Sequence, residues 1–500
     1  MSLRAHLVIA LAGCLALAAC APVPDLAAPL PAAADERAAI AERLRADIAV
    51  LSSDAFGGRK PGTQGGARTT HFITERMQAS GLVSGTNDPG SAWLAPVELV
   101  STKALASRVI VRTRNGESDL PEIGAAAFTP TRRALIDGTD VVFVGRLAET
   151  VPAETVAGRV VVMLGEPGVS PARRANLFGK NPAAVVTVVE NESAITSVRR
   201  VYGRERIALA GTDDDNLAAF VTREAIAGAF APGEWQGLLD AAESDDFAPR
   251  PLPATIAIDA RSERREFTSH NVIGMIPGTL PRSGAVLLLA HWDHLGECGE
   301  EGAQDRICNG AVDNASGVAV MLELARRLAQ SGPHDRDIYV LATSAEEQGL
   351  LGARAFVADP PLPLGDIVAA FNFDTVALAP AGSAVGFVGE GRTALDPLVR
   401  EAVAAQGREL GQRDFAEQFV RRQDGWALLE EGVPALFLSS AFSSEIVLGP
   451  YLEADYHRAS DDGERIELGG AIDDLLLHEA LVRRFASTAL YPSAAGTGSP

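Results

Sequence analysis

From Asn271 onward, short and almost wholly apolar runs alternate with segments of helical periodicity, and the runs end at residues that can hold a metal. AVLLLAH stops at His291 and is followed by Trp292 and Asp293; GAVDNASG carries Asp313 into the next helical segment; DIYVLATSAEE stops at Glu346 and Glu347. IVAAFNFDTV carries Asp374, and DYHRAS, beyond the PALFLSS run, supplies Tyr456 and His457. Val318, Met321, Leu322, Ala325 and Leu328 share one helical face, whereas the apolar runs show no polar alternation. That pattern predicts an α/β fold with a mostly parallel central sheet and helices on both faces, because strands buried on both sides read as continuous apolar runs.

In an open parallel sheet, ligands bind beyond the carboxyl ends of the strands. Two His and three carboxylates suit zinc better than magnesium or calcium, which favour shells made of oxygen alone. Five ligands exceed what one catalytic zinc with an open position needs. They match two Zn²⁺ per chain sharing one carboxylate and a bridging water, with the ions roughly 3.5–4 Å apart. Glu346 and Glu347 stand side by side at a strand end, so one can bind metal while the other moves protons.

AHWDHLG, GAVDNASG, SAEEQGLLGA, NFDT and DYHRASD together resemble, in order and spacing, the co-catalytic di-zinc aminopeptidases of bacterial secreted type, relatives of glutamate carboxypeptidase and the transferrin-receptor ectodomain. The resemblance runs from about 271 to 490 and implies a zinc-exopeptidase fold. By position, His291 and Asp374 would bind one zinc, Glu347 and His457 the other, and Asp313 would bridge them. Glu346 resembles the general base and acid, Asp293 the carboxylate that orients the His291 ring, and Tyr456 a hydroxyl donor to the oxyanion. His294 is expected on the cleft wall and not among the ligands, and His71, His270, His334 and His478 as structural or surface residues. Where relatives tend to have Ser-Asp-His, this chain has Gln423-Asp424-Gly425-Trp426, a departure expected to lie near the substrate.

The N-terminus places Arg4 before an apolar run from Leu7 to Leu17, which reads as a secretory signal over 1–19. Leu17-Ala18-Ala19-Cys20 resembles a lipoprotein processing site, with Cys20 the lipidated residue and 20–36 an Ala- and Pro-rich tether. The expected location is the outer membrane, facing the periplasm or the cell surface. Residues 37–104 read as the N-terminal part of the peptidase domain, 105–252 as an inserted β-rich domain resembling the protease-associated type, 253–490 as the catalytic domain and 491–500 as a tail. Cys298 and Cys308 lack the further Cys or His partners of a zinc knuckle, and in an oxidising compartment a disulfide is favoured over free thiols.

A formal charge of −21 excludes a nucleic-acid partner, since phosphate neutralisation needs surplus Lys and Arg. The expected function is that of an exported metallo-exopeptidase using zinc-bridged hydroxide and a Glu base on peptide substrates, foremost an aminopeptidase. Carboxypeptidase or dipeptidase action, glutaminyl cyclisation and a non-catalytic receptor-like scaffold are the alternatives. Arg421 and Arg422 keep a carboxylate-recognising site open. The sequence leaves the oligomeric state undetermined.

Overall fold

The computed structural model describes residues 33–492, apart from 88–91, 148–149, 213–214, 245 and 300–301. The signal segment, Cys20, most of the tether and the tail from 493 onward lie outside the described residues. The first helix, Ala34–Leu51, starts inside the stretch read as tether. Among the described residues no helix is long and apolar enough to cross a membrane.

One sheet organises the chain. In its C-terminal part the order is Gly386–Val388, Ala435–Ser439, Ile367–Asn372, Ala285–His291, Asp337–Thr343 and Arg250–Ile276. The four strands from Ala435–Ser439 to Asp337–Thr343 are mutually parallel, and the two flanking strands run antiparallel to them. The alternation of side chains explains why AVLLLAH is apolar throughout. Val286, Leu288 and Ala290 enter a core shared with the helices Ala34–Leu51, Gly317–Gln330 and Leu468–Ala486. Leu287 and Leu289 enter the opposite core with Phe356 and Leu428, from the helices Leu351–Ala358 and Gly425–Glu430. The expected α/β architecture is therefore present.

The insert carries the expected strands and sets helices between them. Arg133–Gly145, Val160–Leu164, Ala184–Val189 and Ala218–Thr222 are parallel neighbours, and Ser170–Phe178 and Glu192–Tyr202 are helices between them. These helices are only nine and eleven residues long and lie between β-branched runs, which is why the helical share went unread. The boundaries at 104/105 and 252/253 fall inside continuous strands. Arg250–Ile276, 27 residues long, pairs with Leu94–Thr113 through both regions. The register of that ribbon shifts between Arg261 and Ser262, opposite Ala106 and Ala104, just past Ala260, the last residue that the strand gives to the insert's core.

Candidate metal centre

The carboxyl ends of the parallel strands bring all five expected ligands together. His291 Nε2 lies 3.2 Å from Asp313 Oδ1 and 3.6 Å from Asp374 Oδ1. His457 Nε2 lies 3.4 Å from the other Asp313 oxygen, Oδ2, and 2.9 Å from Glu347 Oε2. Asp313 thus turns one oxygen to each His–carboxylate pair. Ligand atoms about 2.0–2.2 Å from a tetrahedral zinc sit about 3.3–3.6 Å from one another, close to the spacing seen here. His457 Nε2 is buried and makes no hydrogen bond despite two carboxylate oxygens within reach, as befits an atom aimed at a cation. The donor set fits zinc.

The local backbone holds these groups at a cost. Ala345, before Glu346, Thr375, after Asp374, and His457 itself all have positive φ (56°, 50° and 59°) without being glycine. Such strain clusters where side-chain placement is over-determined. Asn314 Nδ2 donates to the carbonyls of His291 and Phe373, and its Oδ1 accepts from the amides of Gly317 and Thr375, so one side chain fastens three ligand-bearing loops. Asp461 accepts from the amides of Val312 and Asp313 and from the Tyr451 hydroxyl. Arg59, fully buried, donates to the carbonyls of Leu51, Trp292, Asn309 and Gly310.

Charge is concentrated here on buried side chains. Burial opposes ionisation of Asp313, yet the imidazoles of His291 and His457 hold its carboxyl well below the usual range. Burial likewise opposes the charge of His457, but Asp313 and Glu347 raise its pKa to about 10. Glu346 is pushed well above the carboxylate range by burial, and Asp424, Glu347 and Asp374 add to the effect. Asp293 rises to about 7 and Asp424 to about 6, each chiefly through burial. So many buried carboxylates in one place call for positive charge.

Asp293 sits beside His291 with a different contact from the one expected. The His291 Nδ1 atom is 3.2 Å from the Asp293 carbonyl oxygen, and the carboxylate is 3.9 Å away. That carboxylate instead accepts from the Glu346 amide at 3.0 Å, which steadies the turn carrying Glu346. His294 corrects the cleft-wall expectation: it is buried, its Nδ1 lies 2.6 Å from Glu347 Oε1, and His294, Asp313 and Glu347 form a second group able to hold an ion. The side chain alternation after His291 gave no hint that the chain turns His294 inward. Gln423, Asp424 and Gly425 also depart from expectation, because they are buried behind the site, where Asp424 accepts from the Thr343 hydroxyl. Arg422, just before them, does reach the cleft.

The cleft offers about 440 Å³ of space that opens to solvent. His291, Asp313, Glu346 and Asp374 line one side; Phe419, Phe437, Phe442, Leu448 and Leu452 form an apolar wall. Tyr456 lines it too, its ring stacked on His457 at 3.7 Å and its hydroxyl accepting from Arg422 at 3.3 Å. Burial pushes the Tyr456 hydroxyl pKa upward, so it stays a proton donor. Cys298 and Cys308 are disulfide-bonded across the two-stranded ribbon Gly296–Glu297 and Ile307–Cys308, with Cys298 Sγ 3.4 Å from the His457 carbonyl.

Residues 271–475 match the model of peptidase family M28. Over 91 residues the chain is 40% identical to "Aminopeptidase YwaD" of Bacillus subtilis (strain 168), which covers 18% of each protein. Over 101 residues it is 36% identical to "Alkaline phosphatase isozyme conversion protein" of Escherichia coli (strain K12), covering 19% of this chain and 28% of that one. The chain therefore aligns with less than a third of the length of these curated relatives. Its fold is similar to that of "Aminopeptidase from Aneurinibacillus sp. strain AM-1", with a TM-score of 0.56, 19% identity and coverage of 89% of this chain and 94% of that one.

Proposed function

With residues 271–475 forming a domain of peptidase family M28, we propose that the chain is a zinc-dependent exopeptidase that removes N-terminal residues from peptides. The observation that carries this reading is the placement of the two Asp313 oxygens, one toward His291 and Asp374, the other toward His457 and Glu347. Two zinc ions per chain suit that arrangement; when bound, they polarise a carbonyl and acidify water. His291, Asp313, Asp374, Glu347 and His457 hold them. Glu346, buried and raised in pKa, takes the proton of the attacking water and returns it to the leaving amine. Tyr456 donates its hydroxyl proton toward the developing oxyanion while Arg422 bonds to the same oxygen. The apolar wall receives the first side chain.

Purified protein is expected to contain two zinc ions, to cleave C-amidated peptides and to spare N-acetylated ones. Glu346→Gln should keep the metal and lose about a hundredfold or more in kcat. A zinc-free chain, or full turnover in that variant, would overturn the reading. Arg422 is the one observation favouring a carboxylate-recognising exopeptidase, and cleavage of N-acetylated but not C-amidated peptides would establish that reading instead.

We also propose export with a lipid anchor on Cys20 and a protease-associated-like role for the insert. The Leu17-Ala18-Ala19-Cys20 sequence supports the first, as does the Cys298–Cys308 disulfide, which suits an oxidising compartment. Acyl labelling that persists in Cys20→Ser would remove the anchor.

A further inference from the structure

The insert holds a second recess, about 1310 Å³ of open space, on the face opposite in character to the acidic cleft. The helix Ser170–Phe178, the strand Arg206–Leu209 and the chain from Phe128 to Pro130 line it, with Tyr202 and Ser262. Its aromatic floor is continuous: the Tyr202 ring is 5.3 Å from Phe128 and 4.9 Å from Phe220. Two guanidinium groups stand on it. Arg174 lies 4.9 Å from the Phe220 ring and Arg206 5.1 Å from the Tyr202 ring.

Neither arginine is paired with a carboxylate among the described residues. This is unusual on a chain with a net charge of −21. Arg173, next along the same helix, pairs with Glu166 at 2.7 Å. Arg174 instead is buried, and donates from Nη2 to the Tyr202 hydroxyl at 2.5 Å. No acidic side chain lines the recess among the described residues. A buried guanidinium with unused donors, opening into a roomy aromatic recess, matches a ligand with a carboxylate and an apolar body.

We propose that this recess binds the C-terminal carboxylate of a peptide whose last side chain is apolar. Arg174 and Arg206 take the carboxylate, and Phe128, Phe178 and Tyr202 take the side chain. The choice of a peptide rests on the exopeptidase reading above; the carboxylate chemistry does not. The site also touches the catalytic machinery. Ile207, on the lining strand, packs in one core with Ala345 and Leu351, which flank the Glu346 turn. A peptide seated here would hold its far end on the strand that buttresses the catalytic turn.

Binding of an N-acetylated hexapeptide ending in Phe is measured by calorimetry on the zinc-loaded enzyme, against the same peptide with a C-terminal amide and against N-acetylphenylalanine alone. The acid should bind at least about tenfold more tightly than the amide, and Arg206→Ala should remove most of that difference. Arg206→Ala should leave turnover of an aminoacyl anilide unchanged. Because Arg174 is buried and its loss could unfold the insert, the exposed Arg206 and the amide peptide carry the test. Equal binding of acid and amide, or a difference untouched by Arg206→Ala, overturns the proposal. N-acetylphenylalanine binding as tightly as the peptide overturns the peptide assignment. A chain that binds the acid peptide in this way yet hydrolyses no peptide would refute the exopeptidase reading and leave the carboxylate site standing.

Discussion

Both halves of the long sheet place helices between parallel strands, yet their strand ends carry opposite electrostatics. In the insert, Glu166 follows Val160–Leu164 and is neutralised by Arg173 at 2.7 Å and Arg146 at 3.6 Å. Glu190 follows Ala184–Val189 and pairs with Arg223 at 3.1 Å. In the catalytic half, Glu346, Glu347 and Asp374 follow strands in the same way but face imidazoles and one another. The topology supplies equivalent places; the residues put there decide whether a place is a solvated ion pair or a candidate metal centre.

The sharpest way to break this comparison is Asp313→Ala, which removes an oxygen from both His–carboxylate pairs. Bound zinc should fall below one ion per chain by mass spectrometry, and activity by more than about a hundredfold, since even indirect ligand partners are worth that much. Glu166→Ala should leave both unchanged; a comparable zinc loss there would erase the distinction.

Next in size is Arg59→Met. Its guanidinium holds four carbonyls around the metal loops, so its removal should cost about 3 kcal/mol or more in urea unfolding, through buried acceptors left unpaired. A loss below about 1 kcal/mol would show that water replaces it.

His478 tests the same core by pH. Burial lowers its pKa to about 4, below the ordinary value near 6.5, so the unfolded chain binds a proton that the folded chain refuses. The stability contribution is complete above about pH 6.5 and is lost as pH falls toward 4, by about 3 kcal/mol. In chelator-treated protein, His478→Leu should flatten that window relative to the parent chain. Smallest of all is Glu190→Gln in the insert, where an exposed pair is worth about 0–1 kcal/mol. A larger loss would mean that the insert's ion pairs are structural after all.

The central strands and the five side chains gathered at their ends were legible because both rest on local signals. A strand buried on two faces must be apolar along its length, and the break in that pattern marks its end. Asp461 and Asn314 lay within the quoted motifs DYHRASD and GAVDNASG but carried no signal separating them from their neighbours. Arg59 stands in the Gly-rich segment DAFGGRKPG, where no local pattern points to partners as far away as Gly310. The insert's edges left no mark in the sequence, because a 27-residue strand that serves two cores has no compositional break between them.

Composition and period specified an α/β sheet whose strand ends carry His and carboxylate, and hence the class of chemistry. Folding specified the rest: that Asp313 offers its two oxygens to different partners, that His294 turns inward onto Glu347, and that Arg174 opens into an aromatic recess. The reason is range. Side-chain periodicity is set by neighbours a few residues apart, whereas these orientations depend on groups brought together from distant segments, where burial and charge act through space and not along the chain.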